Sequence, residues 1–434
     1  MQTTEPTEST DSSDSSDSSD SAGSTPSAAP RRARALWLNR DYMLLWSGQG
    51  VSQIGTGVSR LAFPLLVLDL THSAAQAGIT GALQALPYLL LSLPVGALID
   101  RWDRKRVMIL CDIGRALALG SVPLAVWQGW LTINQLYVVA LAEGTLFVFF
   151  NLAEVACLPH VVSKAQLPAA VAQNEATNGV TEILSPQLGG ALYGIFQALP
   201  FLADAISYTA SVLSLFLIRT RFQGERHASH RHLLVEIREG LVWLWRQPLI
   251  RYIAFLTGGT NFVGAGTALM LIVLARQHGA TPFVLGTLFA IGGVGGIVGA
   301  LLAAPIQRRL RFGTVIIGST WVWALLFPLY AVAPSPLWLG VISAGMFLTS
   351  PIYNVVQFSY RISIIPDELQ GRVNSVFRLM AFGFQPLGLA LTGLLIQTIH
   401  VVPTVLCFAV CSLGLAIMTT FNRRVREARP VHGA

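Results

Sequence analysis

The residues of this sequence that could do chemistry are charged side chains inside long apolar runs. Arg60, Asp112, Arg115, Glu143, Glu154, Glu182 and Asp204 all fall within such runs or at their ends. An ionisable group in hydrocarbon is costly, so each reads as a proton carrier, a ligand contact or half of a pair. Asp112 and Arg115 are three residues apart, so they are expected to pair across one helical turn. Glu182 stands beside Pro186. It either carries protons or, while protonated, bonds a neighbouring Ser or Thr. Asp204 lies close to the start of its run and reads as solvated. Other chemistries find little support. Lys105 and Lys164 are the only lysines, and neither follows a Gly-x-x-x-x-Gly pattern. A phosphate-binding loop is therefore absent, and no ATP hydrolysis, enzyme activity or cofactor is expected. His227, His230 and His232 lack a nearby acid or Cys and read as a solvated loop, so no metal site is assigned. Cys407 and Cys411 are one helical turn apart, which does not suit a disulfide.

The elements that must position these charges are membrane spans. Of 434 residues, 53% are hydrophobic and 12% charged, the composition of a polytopic membrane protein. The net charge of +7 gathers in loops and tails on one side, which sets topology rather than binding nucleic acid. Twelve runs are long enough for a bilayer that needs about 20 residues: 43–69, 77–99, 107–128, 135–158, 171–196, 201–218, 249–275, 283–304, 314–333, 337–361, 373–398 and 402–421. Residues 1–42 form a cytoplasmic tail and basic entry, with 1–30 too polar to order. Residues 43–218 make one six-helix bundle and 249–421 a second. The linker, 219–248, carries an amphipathic helix on the inner surface, and 422–434 form a cytoplasmic tail. The two bundles repeat: Gly96-Ala97-Leu98 recurs as Gly299-Ala300-Leu301, and Asn174 and Pro186 as Asn374 and Pro386.

A charged hairpin, Gly96 to Arg106, joins the second and third spans. It holds Asp100, Arg101, Arg104, Lys105 and Arg106, and Gly96 would let another helix pack closely. Its pattern, Gly-x-Leu-x-Asp-Arg-x-x-Arg-Lys, resembles the signature loop of the major facilitator superfamily, with Asp103 where that family usually has Gly. The resemblance implies an all-α membrane fold of two parallel six-helix repeats with substrate bound between them. It also makes the hairpin a cytoplasmic latch, whose partners would include Glu154, Glu175, Arg361 and Arg372. Asp100 would sit at the helix N-terminus near Gly371 to Asn374. Ser185-Pro186-Gln187-Leu188-Gly189-Gly190 resembles the helix-5 packing motif of drug–proton antiporters, with Ser185 in place of Gly. Asn39-Arg40-Asp41-Tyr42 and Ile365-Pro366-Asp367-Glu368-Leu369-Gln370-Gly371-Arg372 resemble the exporter branch of enterobactin and macrolide efflux proteins. That branch often has acids where Thr56 and Asn151 stand.

In such a fold spans 1, 4, 7 and 10 line the cavity. They offer Gln53, Thr56, Phe147, Phe150, Asn151, Asn261, Phe262, Tyr353, Asn354 and Gln357, a set suited to a bulky, largely apolar substrate. Arg60 and Glu143 face the same cavity at overlapping depths. At about 1.5 Å per residue, Arg60 lies roughly 25 Å from the inner side and Glu143 roughly 12 Å from the outer. The two are expected to pair, and Glu143 to exchange a proton in place of the acids absent at Thr56 and Asn151. The other reading has Arg60 snorkelling to the outer surface.

The expected function is a proton-coupled, monomeric exporter of drugs, antibiotics, siderophores or metabolites in the inner (plasma) membrane, with both termini cytoplasmic. The bilayer, the proton and a small-molecule substrate are its partners. A lipid or lysophospholipid mover, an importer, or a transport-inactive sensor are the alternatives.

Overall fold

The structure is a computed structural model that describes residues 36–99, 101–163, 165–220, 222 and 233–428. The acidic tail, Asp100, His227, His230 and His232 lie outside the described residues. The described chain is helical. Six helices form the first half: α1 (Arg40–Thr71), α2 (Ala74–Ile99), α3 (Arg104–Gln128), α4 (Ile133–Val161), α5 (Leu167–Ile195) and α6 (Leu199–Leu217). The linker supplies α7 (Leu233–Arg246). The second half holds α8 (Pro248–Ala265), α9 (Thr267–Gln277), α10 (Pro282–Arg309), α11 (Phe312–Leu326), α12 (Pro336–Ile364), α13 (Gln370–Phe382), α14 (Gln385–Ile399) and α15 (Val401–Phe421). Eleven helical segments among the described residues are long and apolar enough to cross a membrane, with α8–α9 and α13–α14 each counted as one span. The 29-residue α5, whose Gln, Asn, Thr and Glu side chains lower its hydropathy, makes the twelfth.

Capping residues set the helix boundaries. The Asn39 side chain accepts from the Tyr42 N–H at 3.1 Å, and Asp103, Thr132 and Thr281 do the same for α3, α4 and α10, satisfying donors that a helix start leaves free. Gly129, at φ 74°, ends α3 in a left-handed turn. Two spans that read as continuous in sequence are broken near mid-membrane. One breaks at Gly266, where a Cβ would lie 1.9 Å from the Thr392 hydroxyl. The other breaks at Gly383–Phe384, just before Pro386 opens α14.

The face carrying the linker is here called the linker face, and the opposite one the far face. The halves meet along α2 with α14 and α5 with α10. These contacts are backbone-close toward the far face: a Cβ on Gly78 would lie 2.6 Å from Leu389 O, and one on Gly190 2.2 Å from Pro282 O. The helix-5 motif therefore serves two neighbours. Gly190 meets the second half and Pro186 O meets Gly286, while Ser185 and Gly189 press on Gly57 and Val58 of α1. Toward the linker face α5 carries an exposed polar stripe, Glu175, Asn178 and Glu182. The two halves are closely joined toward the far face.

One expectation fails here. Gly96 is not a packing contact, since among the described residues a Cβ there would meet nothing within 4 Å. The α2 helix is instead pinned at its opposite end. The linker helix α7 docks on protein: a Cβ at Gly240 would lie 2.6 Å from Arg372 O, and Glu239 pairs with Arg372.

Overpacking a tight crossing costs about 1–3 kcal/mol. Gly190→Val is therefore expected to lower the thermal unfolding midpoint. Gly318→Val, where a Cβ meets nothing within 4 Å, serves as the neutral control, and equal midpoints for the two variants would contradict this packing.

Candidate functional site

The first half closes around one buried guanidinium. Arg115 on α3 donates to Glu143 Oε1 on α4 through Nη2 at 2.6 Å and Nε at 3.2 Å. Asp112 stands second, 4.0 Å from Nη1. The Arg115–Glu143 pair replaces the expected Arg60–Glu143 pair, and the geometry gives the reason. Arg115 and Glu143 are each 14 residues from Gly129 at the α3–α4 turn, so the hairpin brings them level. Arg60 is exposed, and its charge acts on Glu182 of α5 instead.

Aromatic rings and hydroxyls complete the cluster. The Tyr208 ring on α6 lies 4.2 Å beneath the guanidinium, and Phe147 and Phe150 flank it at 5.7 and 6.0 Å. Tyr208 donates to Glu143 Oε1 at 3.2 Å, and its hydroxyl meets Thr56 Oγ1 at 2.8 Å. Asp204 is not solvated near a surface as expected: it is fully buried and accepts from Ser59 and Ser207. Its side chain turns into the bundle toward Ser59 of α1 and Ser207, where Gly55 of α1 packs against Ser207. Asp112, Glu143 and Asp204 thus share a single buried cation. Both Asp112 oxygens and Glu143 Oε2 are buried without a hydrogen-bond partner. Among the described residues, no group of three His, Cys, Asp or Glu is arranged to hold a metal.

The second half differs in kind. A recess of about 280 Å³ lies at mid-membrane between α8, α11, α12 and the start of α14. The expected Asn261, Tyr353 and Asn354 line it, joined by Ser319, Thr320 and Trp323 of α11, which the sequence reading did not single out. Phe262 is elsewhere, tilted against Phe408 at 5.8 Å. Gln357 is buried and accepts from Arg361 at 3.3 Å. Of the remaining expected lining residues, Gln53 has a buried, unbonded Oε1, and Asn151 is partly buried on α4.

Polar contacts mark both ends of the bundle. At the far face Arg276 of α9 meets Asp69 of α1 at 2.6 Å, and Tyr193 donates to the other Asp69 oxygen at 2.5 Å. Gln397 Oε1 accepts from the Ala74 N–H at 3.0 Å. At the linker face the hairpin binds its own half. Arg104 donates to Ala156 O at 2.9 Å and Phe222 O at 3.3 Å, Lys105 to Ile218 O at 2.7 Å, and Arg101 is exposed. Glu154 lies within reach of the charges of Asp112 and Arg115, which places it beside the buried cluster. Arg361, expected at the latch, is buried with its guanidinium 3.8 Å over the Phe377 ring. It has no carboxylate partner among the described residues.

Two six-helix halves with spans broken at mid-depth are the architecture of a membrane transporter. The Major Facilitator Superfamily profile matches residues 45–389, and the chain belongs to that family. It is 28% identical over 388 residues to the multidrug efflux pump Tap of Mycolicibacterium fortuitum, covering 86% of this chain and 93% of that one. It is 23% identical to macrolide efflux protein A of Streptococcus pyogenes, covering 89% and 96%. Among solved structures, the nucleoside transporter NupG superposes with a TM-score of 0.70 at 15% identity, over 90% of this chain and 100% of that one. A bacterial homologue of the human lysosomal transporter Spinster, inward-facing and unoccupied, also gives 0.70 at 14% identity, over 89% and 98%.

Removing one partner of a buried pair costs about 3–5 kcal/mol, because a charge is left uncompensated. Glu143→Leu is expected to destabilise by that order, and adding Arg115→Met to recover most of it. Thermal unfolding read by reagent access to the buried Cys111 and Cys157 checks both. A double variant as unstable as Glu143→Leu alone would contradict the pairing.

Proposed function

We propose that the protein is a proton-coupled exporter of bulky amphipathic small molecules, working by alternating access as a monomer in the inner membrane. In this reading the linker face is cytoplasmic. The observation that carries it is the buried cluster in which, among the described residues, Asp112, Glu143 and Asp204 have Arg115 as their one buried cation. One guanidinium balances one carboxylate, and a buried carboxylate without a cation is neutralised by a proton. The cluster therefore holds exchangeable protons. Thr56, standing where related exporters often carry an acid, connects to it through Tyr208: Thr56 Oγ1, Tyr208 Oη and Glu143 Oε1 form a continuous chain from α1 to α4. The acid function is displaced from the passage wall into the bundle and reached through hydroxyls. Protonating Glu143 weakens its hold on Arg115, which then turns to Asp112. That exchange moves α3 relative to α4 and couples proton occupancy to the shape of the half. The efflux relatives support the direction of transport.

The test is accumulation of a macrolide and of a fluorescent cationic dye in cells with and without the protein, repeated with the proton gradient collapsed. Accumulation is expected to fall with the protein and to recover with the protonophore. Glu143→Gln, which keeps the side chain's shape, is expected to lose at least tenfold of the gradient-driven efflux. No protein-dependent change for either compound, or full efflux by Glu143→Gln across pH, would contradict the proposal. Tags placed at residues 1–42, 219–248 and 422–434 are expected to be inaccessible from outside intact cells.

A further inference from the structure

The recess in the second half has a chemistry of its own. It lies where two spans break, at Gly264–Gly266 and at Gln385, and beside Pro351 of α12. Helix breaks at this depth free backbone polar groups and in transporters flank binding sites. Of its lining residues only Tyr353 is ionisable, in contrast with the first half.

The hydroxyl protons around the recess are already committed. Thr257, Thr260, Thr320 and Thr349 donate to the backbone carbonyls of Ile253, Thr257, Ile317 and Met346 at 2.7–3.0 Å. With the Thr257 proton so used, Tyr353 is the donor in its 2.7 Å contact with Thr257. Trp323 gives its N–H to Thr349 at 3.1 Å, and the Asn261 amide donates to Ala381 O at 2.7 Å. These side chains present lone pairs, while Ser319, Ser350, Asn354 and Gln385 retain donors. A ligand that fits must bring several donors and also accept a few, as a set of hydroxyl groups does. An ammonium group also brings donors, but the charge nearby is of the wrong sign. Arg361 is buried, acts on Tyr353 and has no acid beside it among the described residues. At about 280 Å³ the recess falls just below the roughly 300–1,000 Å³ of pockets for whole drug-sized ligands. It takes one ring, with Trp323 in its wall.

We propose that this recess is a binding subsite for an uncharged, polyhydroxylated ring of monosaccharide size, carried on a larger apolar body that stays in the passage. The subsite rests on the transport reading, and it selects among substrates by the presence of that ring.

The probes are 4-methylumbelliferyl β-D-glucoside and its aglycone, 4-methylumbelliferone. The full chain is held in phospholipid nanodiscs, because glycoside detergents would compete. Binding is read by equilibrium dialysis. The glucoside is expected to bind at least tenfold more tightly than the aglycone. Thr320→Val, which is isosteric and removes a hydrogen-bond acceptor from the recess, is expected to raise the glucoside Kd about tenfold. Asn354→Leu, a second near-isosteric change at an exposed lining position, should do the same, so a folding failure in one variant leaves the other decisive. Glu143→Gln should retain the glucoside preference even as gradient-driven efflux is lost, which separates failure of the subsite from failure of the coupling. Equal affinity for the two probes, no saturable glucoside binding, or unchanged Kd in whichever recess variants fold would overturn the proposal.

Discussion

Arg115 is the charge around which the first half is built. A guanidinium at 2% exposure in a membrane bundle persists only if its surroundings supply compensation for lost hydration. They do so from three other helices: Glu143 from α4, Tyr208 from α6, and Thr56 of α1 through the Tyr208 hydroxyl. Each contact fixes a helix rotation as well as a charge. The α3–α4 hairpin must stay level, and α6 must present Tyr208 to the guanidinium. Gly55 of α1 must come close enough to Ser207 for Ser59 to reach Asp204. Buried polar networks of this kind are high-stakes, since a half-satisfied one is worse than none. The unbonded oxygens of Asp112 and Glu143 are the half-satisfied part, and they are where a proton or a rearrangement has somewhere to go.

The two halves share a fold but divide the chemistry. The first holds its buried ionisable groups around Arg115. The second holds hydroxyls, amides and two aromatic rings around an uncharged recess, with helices broken on either side. Between them, close backbone crossings and the Asp69–Arg276 pair keep the far face shut. The far-face pair is about 30% exposed on each side, so water screens it and it adds little to overall stability. Such a contact is strong enough to bias an equilibrium between two shapes and weak enough to be broken in each cycle. Small residues rather than charges do the heavier work of closure, because Gly190 and Gly78 let backbones touch across the seam.

The fold was legible because hydropathy, loop charge and the repeated Gly and Pro positions all point the same way. Partner choice was less legible. Arg60 and Glu143 were matched by depth alone, yet depth leaves helix rotation open, and Arg60 turns out of the bundle. Counting outward from Gly129 would have placed Arg115 opposite Glu143, because a tight hairpin fixes the level of both strands. Asp112 drew attention as the neighbour three residues away, but spacing on one helix does not outweigh a better-aimed carboxylate on the next. Asp204 reads as solvated from its place near the start of α6, but position along a helix leaves rotation open, and the side chain turns inward to Ser59. The recess was half legible: Asn261, Tyr353 and Asn354 could be read from the spans that line such passages, whereas Ser319, Thr320 and Trp323 reach it only because α8 and α14 break. No periodicity in α11 marks that.

The central claim is that the buried cluster around Arg115 holds protons because it has more carboxylates than cations. Infrared difference spectroscopy on the purified protein tests this most directly, because protonated carboxyl groups absorb apart from carboxylates. Wild type near neutral pH should show protonated carboxyl absorption from which one band is lost in Asp112→Asn and another in Asp204→Asn. A spectrum with no protonated carboxyl absorption sensitive to either substitution would contradict the account.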